Sequence, residues 1–223
     1  MPISLRLAAD HVASLPPLDG VEFRRETDPT VMALAQQRPY DTMRARFDDG
    51  HRAYVARRDG AVIAWGWVAT QRASLGELDF DFALPPGDRY LWNFVTTPAA
   101  RGLGIYPRLL QAIVGIESAE ASRFWIVRAP ENHASGSGIE RAGFQRVATL
   151  SVDTDGRAAV AGDDADATAA AARLLGLPIA RGTLAHCWRC VRRAIEGGRP
   201  CADGHCHCDY QRPERGCASE HVA

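Results

Sequence analysis

Residues 98–110, PAARGLGIYPRLL, decide the fold of this chain. The apolar segment Tyr90–Thr96 precedes them, and apolar residues at helical spacing follow them at positions 109, 110, 113, 114 and 116. A strand, a glycine loop and a helix start bring backbone N–H groups and the positive end of a helix dipole to one point. Gly102 and Gly104 leave room for a close approach. The stretch therefore predicts a phosphate-binding loop.

The loop differs from two well-known phosphate-binding motifs. It lacks the Gly-Lys-Ser/Thr ending of a P-loop, and Pro107 stands where a dinucleotide-binding fingerprint needs its third glycine. A second motif follows the helix predicted after the loop and the strand predicted at 123–127. It reads NHAS at 132–135 and then GIERAGF at 138–144. Together, the Arg-x-x-Gly spacing of Arg101 and Gly104 and this second motif resemble the GNAT acetyltransferase superfamily over about residues 20–152.

The resemblance implies an α+β fold, with a mixed, mostly antiparallel central sheet flanked by helices. It also implies acetyl-CoA as co-substrate. Main-chain groups of Phe94, Val95 and Thr96 would pair with pantetheine, and Asn132 and Ser135 would contact its arm. The pyrophosphate would bind the loop residues Arg101, Gly102, Leu103, Gly104, Ile105 and Tyr106. Alternatives remain: Arg101 as an exposed charge, the glycines as a simple turn, and Asn132 as a helix N-cap.

Two positions depart from the pattern of the family. Tyr106 stands where a small residue is usual, so its ring must point away from the phosphates. Ile139 stands where many members carry a tyrosine credited with protonating the leaving thiolate. Because isoleucine has no proton to donate, this role is vacant or filled from elsewhere.

The implied reaction is direct acetyl transfer to an amine of a small molecule or peptide. Glu77 and Asp79, with Asp81 nearby, are candidates for the general base, although they also fit a solvated acidic edge. Asn93 could orient a water or be a buried polar group. The candidate general acids are Tyr106, Tyr90 and Ser135. Tyr106 also fits a purely structural role in packing. We expect catalysis to proceed without a dedicated acid, since a CoA thiol is a fair leaving group.

Composition limits the function classes. The chain has 223 residues, a net charge of −1 and no lysine, so Schiff-base chemistry on a lysine is excluded. No apolar stretch is long enough for a membrane span and no signal peptide is evident, so we expect a cytoplasmic protein with no membrane partner. Because arginine is scattered over the chain, a zinc-dependent nucleic-acid binder is the least favoured reading. Homodimer formation is left open. The main alternative function is a non-catalytic acyl-CoA-binding module.

All six cysteines fall between positions 187 and 217, with histidines among them. In a cytoplasmic chain this pattern favours a metal over disulfides. The Cys-x2-Cys at 187–190 resembles half of a zinc knuckle, but no clean second half follows. Thiols without a metal and disulfides stay as alternatives. The candidate ligands of a zinc ion are Cys187, Cys190, Cys201, His205, Cys206 and Cys208.

Periodicity and turn residues divide the chain into three parts. Residues 1–152 form the GNAT-like acyl-CoA-binding domain, residues 153–180 a spacer and helix, and residues 181–223 the Cys/His-rich tail. Residues 1–20 read as a loose lead-in, 75–82 as a strand or loop, and 153–165 as a loop. Strands are expected at 21–25, 51–57, 61–69, 90–96, 123–127 and 145–152, and helices at 29–37, 40–48, 107–121, 132–142, 166–175 and 183–196.

Overall fold

The structure, a computed structural model, describes residues 1–180, 182–184 and 187–201. This part of the chain contains eleven strands and six α-helices. Their order is β1 (Pro2–Leu7), β2 (Val21–Glu26), α1 (Pro29–Gln36), α2 (Tyr40–Asp48), β3 (Arg52–Arg58), β4 (Ala61–Ala69), β5 (Arg72–Leu75), β6 (Phe80–Ala83), β7 (Asp88–Thr96), α3 (Ile105–Glu117), β8 (Arg123–Val127), α4 (His133–Arg141), β9 (Gln145–Asp153), β10 (Ala158–Ala161), α5 (Ala165–Leu175), β11 (Thr183–Leu184) and α6 (Trp188–Ile195).

One twisted sheet organises these elements. Its strand order is β10-β9-β1-β8-β7-β4-β3-β2, with β11 also paired to β9. Strands β7 and β8 run parallel, whereas the other neighbouring strands of the sheet run antiparallel. Strands β5 and β6 form a separate hairpin. The expected α+β class with a mostly antiparallel sheet is confirmed. No helix of the described residues has the length and apolar character needed to cross a bilayer.

Three local expectations were wrong. Residues 2–7 are not part of a loose lead-in but form β1, which lies between β8 and β9. Part of the loop expected at 153–165 is strand β10, which pairs with β9. The helix expected at 183–196 is instead β11 followed by α6. These elements depend on pairing with distant strands, and a local pattern does not report that pairing.

The helices cover both faces of the sheet. On one face, α3 packs its buried residues Leu109, Leu110 and Ile113 into a core with Phe124 and Ile126 of β8. On the other face lie α1 and α2, the β5–β6 hairpin, α5 and α6. Residues 158–201 therefore include elements that pack against the same sheet as the rest of the chain. The predicted division of the chain into three parts, with boundaries at 152/153 and 180/181, stays a prediction.

A buried ion network holds the carboxyl end of α3 against the sheet. The Glu117 side chain is only 1% exposed and accepts hydrogen bonds from Arg89 Nε at 2.6 Å, from Arg52 Nη1 at 2.8 Å and from the Tyr54 hydroxyl. Burial alone would raise the pKa of Glu117, but the hydrogen bonds from Tyr54, Arg89 and Arg52 outweigh it and hold that pKa below its usual range. This network fixes one end of the helix whose other end follows the glycine loop.

Candidate acyl-CoA site

The glycine loop has the geometry of an anion-binding helix start. Gly102 and Gly104 have φ angles of 77° and 70°, which glycine adopts without strain. Gly104 is the N-cap of α3, so the helix begins at Ile105 rather than at the expected Pro107. The N–H groups of Ile105 and Tyr106 lie in the first turn, where no intrahelical acceptor exists. They are available to an external anion.

A cavity of about 550 Å³ opens beside this loop. It brings together almost all of the residues predicted to bind acetyl-CoA. Leu103 is the exception, because its side chain is 42% exposed and does not line the cavity. The predicted residues that line it are Phe94, Val95, Thr96, Arg101, Gly102, Gly104, Ile105, Tyr106, Asn132 and Ser135.

The cavity exists because β7 extends beyond the end of its pairing with the parallel strand β8. The pairing of β7 with β8 ends at Leu91 and Ile126, whereas β7 continues to Thr96. Beyond Leu91, the β8 side of β7 therefore has no strand partner among the described residues. Such a free strand edge can accept an extended ligand by main-chain hydrogen bonds.

A β-bulge changes the direction of side chains along β7. Asn93 has a φ of 53°, and the pairing with β4 shifts register between Trp65 and Trp67. Phe94 consequently packs in the α3 core, whereas Trp92, two residues earlier, packs on the opposite face. Gly66 makes this arrangement possible, because a Cβ at position 66 would overlap the Phe94 ring.

Tyr106 reaches into the same cavity as a neutral phenol. Its hydroxyl lies 3.2 Å from Ser135 Oγ, and its ring centroid lies 5.4 Å from that of Phe94. Gly138 makes room for the ring, since a Cβ there would overlap it. Burial raises the pKa of Tyr106 to about 12, against smaller lowering effects of Ser135 and Arg128. The phenol is therefore protonated at neutral pH.

The cavity is positively charged. Arg101 and Arg141 line it, and the lining contains no carboxylate among the described residues. The Arg101 Nε donates to the Thr96 carbonyl at 3.3 Å, which ties the loop to the end of β7. Two guanidinium groups and a helix N-terminus at one cavity suit a diphosphate.

The start of α4 forms the opposite wall. Asn132 is its N-cap, since Oδ1 accepts a hydrogen bond from the Ser135 N–H at 3.0 Å. Asn132 also lines the cavity, so the capping role and a ligand role coexist. Arg128 supports this turn by donating to the carbonyls of Ala129 and Pro130. Ile139 is buried in the α3 core and is not part of the cavity lining.

The structure separates the other candidate catalytic residues from this cavity. Glu77 and Asp79 are exposed in the connection between β5 and β6, and Asp79 lies 3.8 Å from Arg192 of α6. Asn93 is exposed at the bulge, and Tyr90 is buried against Phe82. None of the four lines the cavity. Their catalytic roles stay predictions, and of the candidate catalytic residues Tyr106 and Ser135 line this cavity.

The predicted zinc ligands lie only partly within the described residues. Cys187 caps the start of α6 and Cys190 lies within it, both buried. The sulfur atoms of Cys190 and Cys201 are 3.4 Å apart. His205, Cys206 and Cys208 lie outside the described residues. Within the part of the chain that the structure describes, no group of three or more metal-ligating side chains forms.

Sequence reasoning missed three contributors to the site. Arg141 lines the cavity from the last turn of α4, where a basic residue looks like an ordinary helix-end charge. Gly66 within a strand and Gly138 within a helix carried a usable signal, because glycine inside an element often marks a bulge or a close approach.

The comparisons with known proteins agree with this geometry. Residues 21–144, more than half of the chain, match the model of the Acetyltransferase (GNAT) family. The chain therefore belongs to the GNAT acetyltransferase family, and the resemblance inferred from the two motifs is confirmed. No curated protein matches the chain.

Similar solved structures include three acetyltransferases. A GCN5-related N-acetyltransferase from Kribbella flavida is 15% identical over 65% of this chain, with a TM-score of 0.44, and the chain spans only 53% of its length. AAC(6')-Iy, solved with a bisubstrate analog containing CoA, is 16% identical over 56% of this chain and 91% of its own, with a TM-score of 0.43. The ribosomal-protein-alanine N-acetyltransferase from Brucella melitensis biovar Abortus is 12% identical, covering 55% and 89% of the two chains, with a TM-score of 0.43.

Proposed function

We propose that this protein transfers an acetyl group from acetyl-CoA directly to an amine of a small molecule or peptide. The observation that carries the proposal is the positively charged cavity between the glycine loop, the free edge of β7 and the start of α4. Family membership supports acyl transfer in general, and the cavity supports acyl-CoA as the donor.

The residues of the cavity divide the co-substrate between them. Amides of Gly102 to Tyr106, aided by Arg101 and Arg141, would hold the diphosphate at the N-terminus of α3. Main-chain groups of Phe94, Val95 and Thr96 would hydrogen-bond the pantetheine arm along the unpaired edge of β7. Asn132 and Ser135 would contact the arm from α4. Leu103 would contribute only its backbone amide, because its side chain points out of the lining.

The transfer balances without a further reagent. A thioester supplies an activated acetyl carbonyl; the ammonium of the acceptor first releases one proton, and the free amine adds to the carbonyl carbon. The C–S bond then breaks, the nitrogen loses a second proton, and the sulfur takes up a proton to leave as a thiol. Glu77 or Asp79 as base and Asn93 as a water-positioning group stay predictions. Tyr106 and Ser135, which both line the cavity, are the candidate donors of the last proton.

The buried position of Ile139 keeps a second reading open. If no group replaces the proton donor expected there, the cavity could bind acyl-CoA without turning it over. A non-catalytic acyl-CoA-binding module is therefore the alternative. Both readings predict that the protein binds acyl-CoA. Only the enzyme is expected to release thiol when an amine is present.

Three measurements on the 223-residue chain test the proposal. Acetyl-CoA at 100 times its Kd should stabilise the fold by about 2.7 kcal/mol, a rise in Tm of roughly 5–11 °C for a chain of this size. Arg141→Ala should raise the Kd for CoA about tenfold by removing a charge-assisted contact, whereas Arg38→Ala, at an exposed site away from the cavity, should leave it unchanged. Thiol release in the presence of an amine panel separates enzyme from binding module. Absence of any CoA binding at millimolar ligand would refute both.

Zinc in the Cys/His-rich segment is a separate proposal. The paired sulfurs of Cys190 and Cys201 offer two thiolate donors, and the described residues do not complete a site around them. A zinc ion would therefore need further ligands from the rest of the predicted set, which is Cys187, His205, Cys206 and Cys208. Metal analysis of purified protein should find about one zinc per chain, and less than about 0.2 would contradict this proposal. A cytoplasmic location and a homodimer likewise remain predictions.

A further inference from the structure

A second cavity lies on the other face of the sheet. Its volume is about 510 Å³, within the range of small-molecule sites. Its walls are residues 48–51 at the end of α2, residues 71–74 and Asp81 at the β5–β6 hairpin, and Trp92 of β7. The β5–β6 hairpin, which precedes β7 in the chain, therefore forms much of the wall of this cavity.

The two cavities lie on opposite faces of the sheet, on either side of the β7 bulge. Trp92 lines the second cavity and Phe94 lines the acyl-CoA cavity, although both residues belong to one strand. Side chains two residues apart normally share a face, and the bulge at Asn93 sends these two to opposite faces. Because a strand rises about 3.3 Å per residue, the two positions are separated by only about 7 Å along β7. A ligand in the second cavity is therefore close to the strand segment proposed to hold pantetheine.

The charges lining the two cavities are opposite. Arginines line the acyl-CoA cavity, whereas Asp48, Asp49 and Asp81 line the second one together with Arg72. Asp48 also pairs with Arg44 at 3.2 Å. None of the ion pairs among the described residues involves Asp49 or Asp81. Two carboxylates at this cavity are thus available to a cationic ligand.

The inner wall of the second cavity is aromatic, and two ring nitrogens of its residues are covered by protein. The rings of His51 and Trp92 meet edge to face at 5.2 Å. His51 Nδ1 and Trp92 Nε1 are buried without a hydrogen-bond partner among the described residues. Arg46 lies 4.8 Å from the Trp92 ring. Burial lowers the pKa of His51, with Asp49 opposing the effect and Arg46 adding to it, so the imidazole is neutral at pH 7. A neutral ring beside carboxylates leaves the attraction for a cation intact.

We propose that this second cavity binds the acceptor, and that the acceptor is a small amine carrying a second positive charge. The inference rests on the acetyl transfer proposed above and names the acceptor class for it. The reacting amine would lie against Trp92 and His51 near the bulge. The second cationic group would pair with Asp81 on the hairpin and Asp49 after α2.

Three amines of equal chain length test the inference with acetyl-CoA at saturation. 1,4-Diaminobutane should have a kcat/KM at least about tenfold above that of butylamine, and 4-aminobutanoate should be the poorest acceptor, because a charge-assisted contact is worth about tenfold or more. Asp81→Asn should lower kcat/KM for the diamine about tenfold, mostly through KM, and change that for butylamine less than twofold. Asp41→Asn, which removes the same charge from the exposed first turn of α2, is the matched control and should change neither.

The outcomes separate this inference from the proposed function. Equal kcat/KM values for the three amines, or an equal effect of Asp81→Asn on diamine and butylamine, overturn the inference and leave acetyl transfer standing. If acetyl-CoA raises the Tm and no amine releases thiol, the inference and the catalytic function fall together. Preference for the diamine that Asp81→Asn abolishes supports both.

Discussion

Replacement of Glu117 by glutamine should destabilise the protein far more than any nearby charge change. The carboxylate is buried and receives hydrogen bonds from Arg89, Arg52 and Tyr54, and the Arg89 side chain is itself only 7% exposed. Glu117→Gln leaves Arg89 and Arg52 with only the exposed Glu120 as a counter-ion, and loss of the buried partner costs about 3–5 kcal/mol. That is a large part of a total stability of about 5–15 kcal/mol.

Glu120 provides the matched control. It lies three residues further along and bonds the same two arginines, to Arg52 at 2.6 Å and to Arg89 at 3.3 Å, but its side chain is 58% exposed. Exposed ion pairs contribute little, so Glu120→Gln should destabilise the protein far less than Glu117→Gln. Burial is thus the main variable that differs between the two substitutions.

Urea denaturation followed by circular dichroism measures both variants, and thermal unfolding gives a second reading. For a chain of this size 1 kcal/mol corresponds to about 2–4 °C, so Glu117→Gln should lower the Tm by roughly 6–20 °C. Because α3 is 13 residues long, the network lies about 18 Å from the glycine loop. Acetyl-CoA affinity, measured well below the Tm, should stay within about twofold of wild type. If both glutamine variants lose the same stability, the reasoning from burial is wrong.

Three further predictions concern the site and the buried network. Tyr106→Phe should lower kcat less than about tenfold, because the reaction does not need a dedicated acid; a hundredfold loss with KM unchanged in steady-state kinetics would show that it does. Gly66→Ala should cost about 1–3 kcal/mol in urea denaturation and weaken CoA binding, since the new methyl group displaces the Phe94 ring. Gly115→Ala, in open space on α3, should instead stabilise by roughly 0.5–1 kcal/mol. Since the folded pKa of Glu117 lies below its unfolded value, its stabilisation is complete above about pH 4.3 and is lost as the pH falls through the folded pKa. The difference between wild type and Glu117→Gln in urea should therefore shrink below about pH 4, and a constant difference would contradict this origin.

The strand, glycine loop and helix start at 90–117 could be predicted because their signal is local. Gly102 and Gly104 stand between an apolar strand and an amphipathic helix, and each of these features is readable within a dozen residues. The same holds for the hairpin of β3 and β4, whose Asp59-Gly60 turn lies between two clear strands.

The elements that the sequence did not reveal depend on distant partners. β1 is short and mixes Ser4 and Arg6 with apolar residues, and its place in the sheet is set by strands more than a hundred residues away. β10 is mostly alanine, a weak strand former, and forms by pairing with β9. The second cavity needs α2, the β5–β6 hairpin and β7 together, so no single motif could indicate it.

The proximity of the two cavities also has a consequence for inhibitor design. A compound that joins a CoA-like diphosphate to a dication would occupy both sides at once if its tether passed along the unpaired β8 side of β7, beyond Leu91. Tethering raises the effective concentration of the second half, so such a compound should bind far more tightly than either half alone. Since the β5–β6 hairpin forms a wall on one side only, trimming that hairpin would weaken the dicationic half and spare the other.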